Sequence, residues 1–141
     1  MSRVYWDTML FVYLLEEHPL HAARVREIAT GMDERHDVLC TSVFTVGEVL
    51  VGPYKGRALE VARRTQEFFR SPLVELLPFT SDAAELYARV RAEHGIPPAD
   101  AIHLACAARA GVDLFLTNDR RLRGLRIPGI QFIAGMDVSL Y

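Results

Sequence analysis

The 141 residues carry a formal net charge of −2, half of them are hydrophobic and 24% are charged, which points to a packed globular domain and argues against a generally basic nucleic-acid coat. The longest apolar stretch, Met9 to Leu15, falls far short of the roughly 20 residues a bilayer requires, and no secretory leader precedes Asp7. Cys40 and Cys106 lack CxxC spacing, so the expectation is a single domain over residues 1–141, cytoplasmic, with buried free thiols and no membrane contact.

In chain order, Arg3 to Trp6 (RVYW) reads as a first short strand ending at Asp7. Thr8 to Glu17 is apolar nearly all round and predicts a helix that is buried or makes a subunit contact. His18-Pro19 interrupts it. Leu20 to Thr30 carries Ala22, Val25, Ile28 and Ala29 at helical spacing, with Gly31 as its expected end and Met32 to Asp37 as a charged loop. Val38 to Thr41 is a second strand, and Ser42 is placed to cap a helix reaching about Val51, where Gly52-Pro53 is expected to break the chain.

Arg57 to Arg70 is amphipathic, with Ala58, Val61, Ala62, Thr65 and Phe69 along one side and Glu60–Arg64 as an i,i+4 pair on the other. Val74 to Leu77 predicts a third strand. Thr80 or Ser81 begins a helix to His94, with Ala84, Tyr87, Ala88 and Arg91 aligned, and Gly95 ends it. Pro98 suits a first helical turn, Ala99 to Ala110 is rich in strong helix formers, and Gly111 fits the left-handed closing position. Leu114 to Leu116 is a short apolar run without alternation, as in a strand covered on both faces, and Gln131 to Ile133 predicts a last strand. Short strands alternating with helices imply a three-layer α/β domain around a mainly parallel sheet.

The acids then carry the chemistry. Asp7 and Asp119 each follow a strand, Asp100 opens a helix, and Glu48 lies in the second turn of a helix after a strand. All four can converge above the carboxyl edge of one parallel sheet, where open α/β folds bind ligands. Taken singly, Asp7, Asp100 and Asp119 also suit helix starts. Glu48 is harder to place, because Val43, Val46, Val49, Leu50 and Val51 leave it no broad polar face, and an unpaired buried carboxylate is very costly. Two carboxylates 4 Å apart repel by about 4 kcal/mol at an effective dielectric of 20. Such a cluster calls for a hard divalent cation, and an all-oxygen set favours Mg²⁺ or Mn²⁺ over zinc.

Fifteen of the sixteen basic residues are Arg, Lys55 being the exception, and Arg120, Arg121, Arg123 and Arg126 crowd together after Asp119. Genomic base composition accounts for much of the arginine excess, but arginine also grips phosphate in a fixed geometry, so within this cluster Arg120, Arg121 and Arg123 are candidates for holding a nucleic-acid backbone. His18 and His21, separated by Pro19, read as loop, and His103 reads as a core residue or one that supports the site from behind. Tyr5, Trp6, Tyr13, Phe44, Phe68, Phe69 and Tyr87 read mainly as core or interface.

The segments YWDT, SVFTVGEVL, IPPADAIHLACAARAG and DLFLTNDRRL together resemble a PIN-domain ribonuclease of the VapC toxin type, a likeness that covers the whole chain and is most specific in PADAIHLACAARAGVDLFLTND. The resemblance implies a PIN-like fold, with Asp7, Glu48, Asp100 and Asp119 as a metal-binding acidic quartet and Thr8, Thr117 and Asn118 as polar neighbours. It further implies a metal-dependent endoribonuclease acting on RNA as a toxin, a VapB-type antitoxin and a homodimer. Met9 stands where many members carry Asn or Ser. Two other readings fit a sheet edge lined with acids: an inactive nucleic-acid or protein binding module, and a phosphotransfer receiver domain, which would need a buried lysine that Lys55 poorly supplies.

Overall fold

In the computed structural model, which describes residues Met1–Tyr141, β1 (Arg3–Trp6), β2 (Val38–Ser42), β3 (Glu75–Leu77), β4 (Leu114–Leu116) and β5 (Phe132–Ala134) form one sheet in the order β3-β2-β1-β4-β5. Every pairing is parallel. The helices are α1 (Thr8–Leu15), α2 (Ala22–Glu34), α3 (Val43–Lys55), α4 (Leu59–Arg70), α5 (Ser81–His94), α6 (Pro98–Ala110) and the one-turn α7 (Arg120–Arg123). This is the expected α/β architecture, a central parallel sheet flanked by helices.

Side chains of a strand alternate between faces, and β1 and β4, in the middle of the sheet, are apolar on both. Tyr5, Cys40 and Phe115 face a core shared with Leu104, Cys106 and Ala107 of α6 and Val90 of α5. Val4, Trp6, Leu114 and Leu116 face the other way, onto Leu10 and Phe11 of α1, Val25 and Ile28 of α2, and Phe69 of α4. Tyr5 stacks on Phe115 with ring centroids 4.9 Å apart. Full burial of such a side chain stabilises by roughly 1.5–3 kcal/mol, so this central pair holds the two strands on which the site depends. Cys40 and Cys106 are buried and free, and burial pushes their thiols up, to about 12 and about 11.

Several local expectations shift for physical reasons. Helix α2 runs through Gly31 to Glu34, because Met32 continues its buried face and the Tyr141 ring lies where a Cβ on Gly31 would stand, 2.8 Å away. The charged loop is therefore much shorter, and His36 turns the chain at φ 57°. Helix α3 continues through Pro53 to Lys55. Proline clashes with the Cβ of a preceding helical residue, and Gly52 has none. On α4, Val61 is exposed while Ala62, Thr65 and Phe69 are buried. On α5 the buried residues are Ala83 and Val90, not Ala84 and Ala88. The third strand begins one residue later than expected, and the last strand is displaced by one residue, to Phe132–Ala134. The left-handed closures at Gly95 and Gly111 and the caps at Ser42 and Thr80 stand as the sequence indicates.

Candidate functional site

The sheet order reverses direction between β1 and β4, since β2 and β3 lie to one side of β1 and β4 and β5 to the other. The crevice beyond the carboxyl ends of such neighbours is where open α/β sheets bind ligands. Trp6 pairs with Leu116 at the end of both strands, and the backbone N–H of Asp7 still reaches the Leu116 carbonyl, 2.9 Å away. Asp7 therefore leaves β1 at the same level at which Thr117, Asn118 and Asp119 leave β4. Glu48 comes from the second turn of α3 and Asp100 from the first turn of α6. A cleft of about 520 Å³ is lined by all four acids, together with Thr8, Tyr13, His103, Asn118, Arg120 and Arg121.

Each acid is held differently. Asp7 is nearly buried; its Oδ1 accepts from the Thr8 N–H at 2.8 Å and its Oδ2 from the Thr117 hydroxyl at 2.8 Å. Glu48 Oε1 accepts from the Thr8 hydroxyl at 2.5 Å and lies 2.6 Å from His103 Nε2. Burial acts to raise the Glu48 carboxyl, but the hydrogen bonds from His103 and Thr8 outweigh it and hold the group below its ordinary value. Asp119 is held low by the Arg121 guanidinium, whose Nη2 stands 2.6 Å from Oδ2. Asp100 is the exception: burial first, then the charges of Asp7 and Asp119, raise it, and an Arg121 contact at 3.3 Å does not compensate.

No three of the acids converge on one point as the side chains stand. Arg121 spans Asp100 and Asp119, and Glu48 is drawn toward Thr8 and His103. The donor chemistry nevertheless fits a hard divalent ion: the four acids are all oxygen donors around one cleft, with no cysteine among its lining residues. Burial is the larger cause of the rise at Asp100, and the repulsion from Asp7 and Asp119 that adds to it is of the kind a cation relieves.

The other sequence candidates separate in space. Thr8 and Asn118 line the cleft, with the Asn118 amide donating to the Tyr13 hydroxyl at 2.9 Å. Thr117 does not line it; it is fully buried and braces the site from below, donating to Asp7 and accepting from the Asp119 N–H at 3.0 Å. Arg120 and Arg121 line the cleft, whereas Arg123 does not. The Arg123 guanidinium lies over Gly135, in the space a Cβ there would take, and pairs with Asp137 at 3.3 Å. Glu48 is not trapped in a core, because α3 fully buries only Thr45 and Val49 and leaves Val43 and Val51 to solvent.

Tyr13, read from sequence mainly as core or interface, and His103, read as core or as a support behind the acids, both reach the site. Tyr13 forms part of the cleft wall, and His103 is 2% exposed with Nε2 turned toward Glu48 and 3.7 Å from Asp7 Oδ1. The three-residue spacing from Asp100 to His103 was the available signal, since it places both on one face of α6.

Comparison with known proteins adds family and fold. The PIN domain matches residues 4–127. A VapBC2 complex from Rickettsia felis, solved bound to a promoter DNA fragment, is similar at 18% identity over 94% of this chain and 98% of that one, with a TM-score of 0.76. DNA-bound VapBC from Salmonella typhimurium is similar at 27% identity over 96% and 99%, with a TM-score of 0.74. A toxin–antitoxin complex from Klebsiella pneumoniae is similar at 22% identity over 98% of each chain, with a TM-score of 0.68. None of the curated proteins compared with the chain matches it.

Proposed function

The chain belongs to the PIN-domain family, and from that premise we propose that it is a Mg²⁺- or Mn²⁺-dependent endoribonuclease, the toxin of a VapBC-type toxin–antitoxin pair. The observation that supports the reading is that Asp7, Glu48, Asp100 and Asp119 line one cleft at the point where the sheet order reverses, with Asp100 raised first by burial and then by the charges of Asp7 and Asp119. Asp7 and Asp119 are the principal ion-holding residues, with Glu48 and Asp100 acting directly or through water, since Mg²⁺ keeps several waters. When bound, the ion supplies activation of the attacking water and stabilisation of charge on the phosphodiester.

The protein's own groups do the rest. Thr8 and Thr117 fix both oxygens of Asp7, so that carboxylate would meet the ion without reorganising. Asn118 is fixed by Tyr13 at the rim. Arg120 and Arg121, at the cleft mouth, hold flanking phosphates and position RNA without choosing its sequence. Arg123 pairs with Asp137 and does not line the cleft, so Arg120 and Arg121 are the better placed of the three. Lys55, exposed at the end of α3, does not line the cleft, which disfavours the phosphotransfer reading.

Residues 1–141 acting as one domain, a small VapB-type antitoxin and a second copy of the chain complete the reading. The antitoxin is supported by the complexes among the structural neighbours. No helix is long and apolar enough to cross a membrane. The test is cleavage of total RNA by purified protein with Mg²⁺ or Mn²⁺ and with EDTA, beside Asp119→Asn. Metal-dependent fragments lost in the variant support the proposal. RNA bound but left intact under every metal condition would make the protein a binding module.

A further inference from the structure

The imidazole of His103 is buried in a place where its hydrogen bonds determine which nitrogen carries the proton. The Ser42 N–H donates to the Tyr5 hydroxyl oxygen at 3.2 Å. The same hydroxyl lies 2.7 Å from His103 Nδ1. Glu48 Oε1, an ionised carboxylate oxygen that can only accept, lies 2.6 Å from Nε2, so Nε2 carries a proton and donates to it, and a neutral ring then turns the lone pair of Nδ1 to the Tyr5 hydroxyl. Burial drives the Tyr5 phenol far above its ordinary range, so it keeps the proton it donates. The ring is wedged edge-on between Tyr5 and Phe44, at centroid distances of 5.9 and 5.4 Å.

The consequence lies on Glu48. Both donors that reach it, His103 Nε2–H and the Thr8 hydroxyl, engage the same oxygen, Oε1. The second oxygen, Oε2, accepts from neither. We infer that His103 is a positioning residue: fixed by Tyr5 with its proton on Nε2, it ties down one oxygen of Glu48 and presents the other to a divalent cation in the acid cleft. A histidine serving only the core has no need to place Nε2 between Glu48 and Asp7. The inference rests on the cation-binding reading of the cleft and deepens it, adding the line Ser42–Tyr5–His103–Glu48 behind the acids.

The test combines a proton assignment with a binding measurement that needs no turnover. Long-range ¹H–¹⁵N correlation of the metal-free protein should show His103 with its proton on Nε2 and a lone pair on Nδ1. Mn²⁺ affinity, read from the free-ion EPR signal, should fall about 10- to 100-fold in His103→Leu, the usual cost of losing an outer partner of a ligand. His103→Gln, whose amide can still donate to Glu48, should recover most of the loss. In a Glu48→Gln background, His103→Leu should change the affinity less than about twofold, because the group it positions is no longer a carboxylate. Tyr5→Phe provides a second route if His103→Leu does not fold, and should weaken Mn²⁺ binding while mixing the two tautomers. Equal losses with and without Glu48 would make His103 a packing residue and overturn the inference, as would a proton found on Nδ1. A wild type that binds no Mn²⁺ would instead refute the cation reading itself, and this inference with it.

Discussion

Thr117 is the most exacting probe of the site, because it is buried yet touches two of the acids. Its hydroxyl donates to Asp7 Oδ2 at 2.8 Å and accepts from the Asp119 N–H at 3.0 Å, with no solvent exposure. Thr117→Val keeps the side-chain shape and removes both bonds. A hydrogen bond to a charged group contributes about 1.5–3 kcal/mol, and a donor left without a partner costs about 1–3 kcal/mol. The Asp7 side chain is only 12% exposed, so water poorly replaces the lost donor, whereas the half-buried Asp119 N–H sits at the low end of its range. The two effects together predict a loss of about 2–4 kcal/mol. Urea denaturation in EDTA at pH 7 measures it: with a slope of about 2 kcal/mol per molar, the midpoint should fall by about 1–2 M. Thr117→Ser, which retains the hydroxyl, should recover most of this, and Mn²⁺ affinity should follow the same order. A valine variant within about 0.5 kcal/mol of wild type, or a serine variant as damaged as the valine one, would refute the brace.

Asp100→Asn should abolish cleavage yet leave the metal-free protein as stable or more stable at pH 7, checked by melts in EDTA and by a smaller Mn²⁺-induced shift. Because the folded carboxyl of Asp100 is raised, its contribution to stability declines as pH rises from its ordinary value of 3.8 through the raised value, and the variant loses that decline. Glu48→Gln should behave oppositely: its folded carboxyl is lowered, so wild type should exceed the variant above about pH 4.5, and the difference should vanish as pH falls through the lowered value. Arg121→Ala should weaken binding of all RNAs, the salt slope dropping by about 0.7 for each single-strand phosphate no longer neutralised, while Arg123→Ala leaves the slope unchanged; filter binding between 50 and 200 mM salt, roughly the range over which such slopes are read, compares them. Gly129→Ala should destabilise strongly without altering metal affinity, since φ is +99° and a Cβ would meet the Ala108 carbonyl oxygen at 2.4 Å; denaturant midpoints and Mn²⁺ titration check both halves.

The alternation of strands and helices, the caps at Ser42 and Thr80, the closures at Gly95 and Gly111 and the acids Asp7, Asp100 and Asp119 near element ends were legible in the chain itself. Each depends on chemistry within a few neighbouring residues: a side-chain acceptor at a helix start, a left-handed glycine at its end, an apolar run too short for a helix. Where these rules were overridden the reason was local at Gly52, which lets α3 run into Pro53, whereas at Gly31 the distant Tyr141 ring packs against the continuing α2. The direction of individual side chains was decided only by tertiary packing. Arg120, Arg121 and Arg123 are alike in sequence, but successive residues of a helix turn by about 100°, so Arg121 faces the acids while Arg123 lies on Gly135. Thr117 is the polar neighbour of the acids that the resemblance implies, but a sequence does not show that burial extends one residue past Leu116, so that this side chain points to Asp7 and not into the cleft. His103 is 98 positions from Tyr5 and 55 from Glu48, and only a fold that brings β1, α3 and α6 together puts a phenol, an imidazole and a carboxylate into one line. Local turn and cap energies act over a few residues of chain, whereas the site's geometry is set by where separate elements are pressed together.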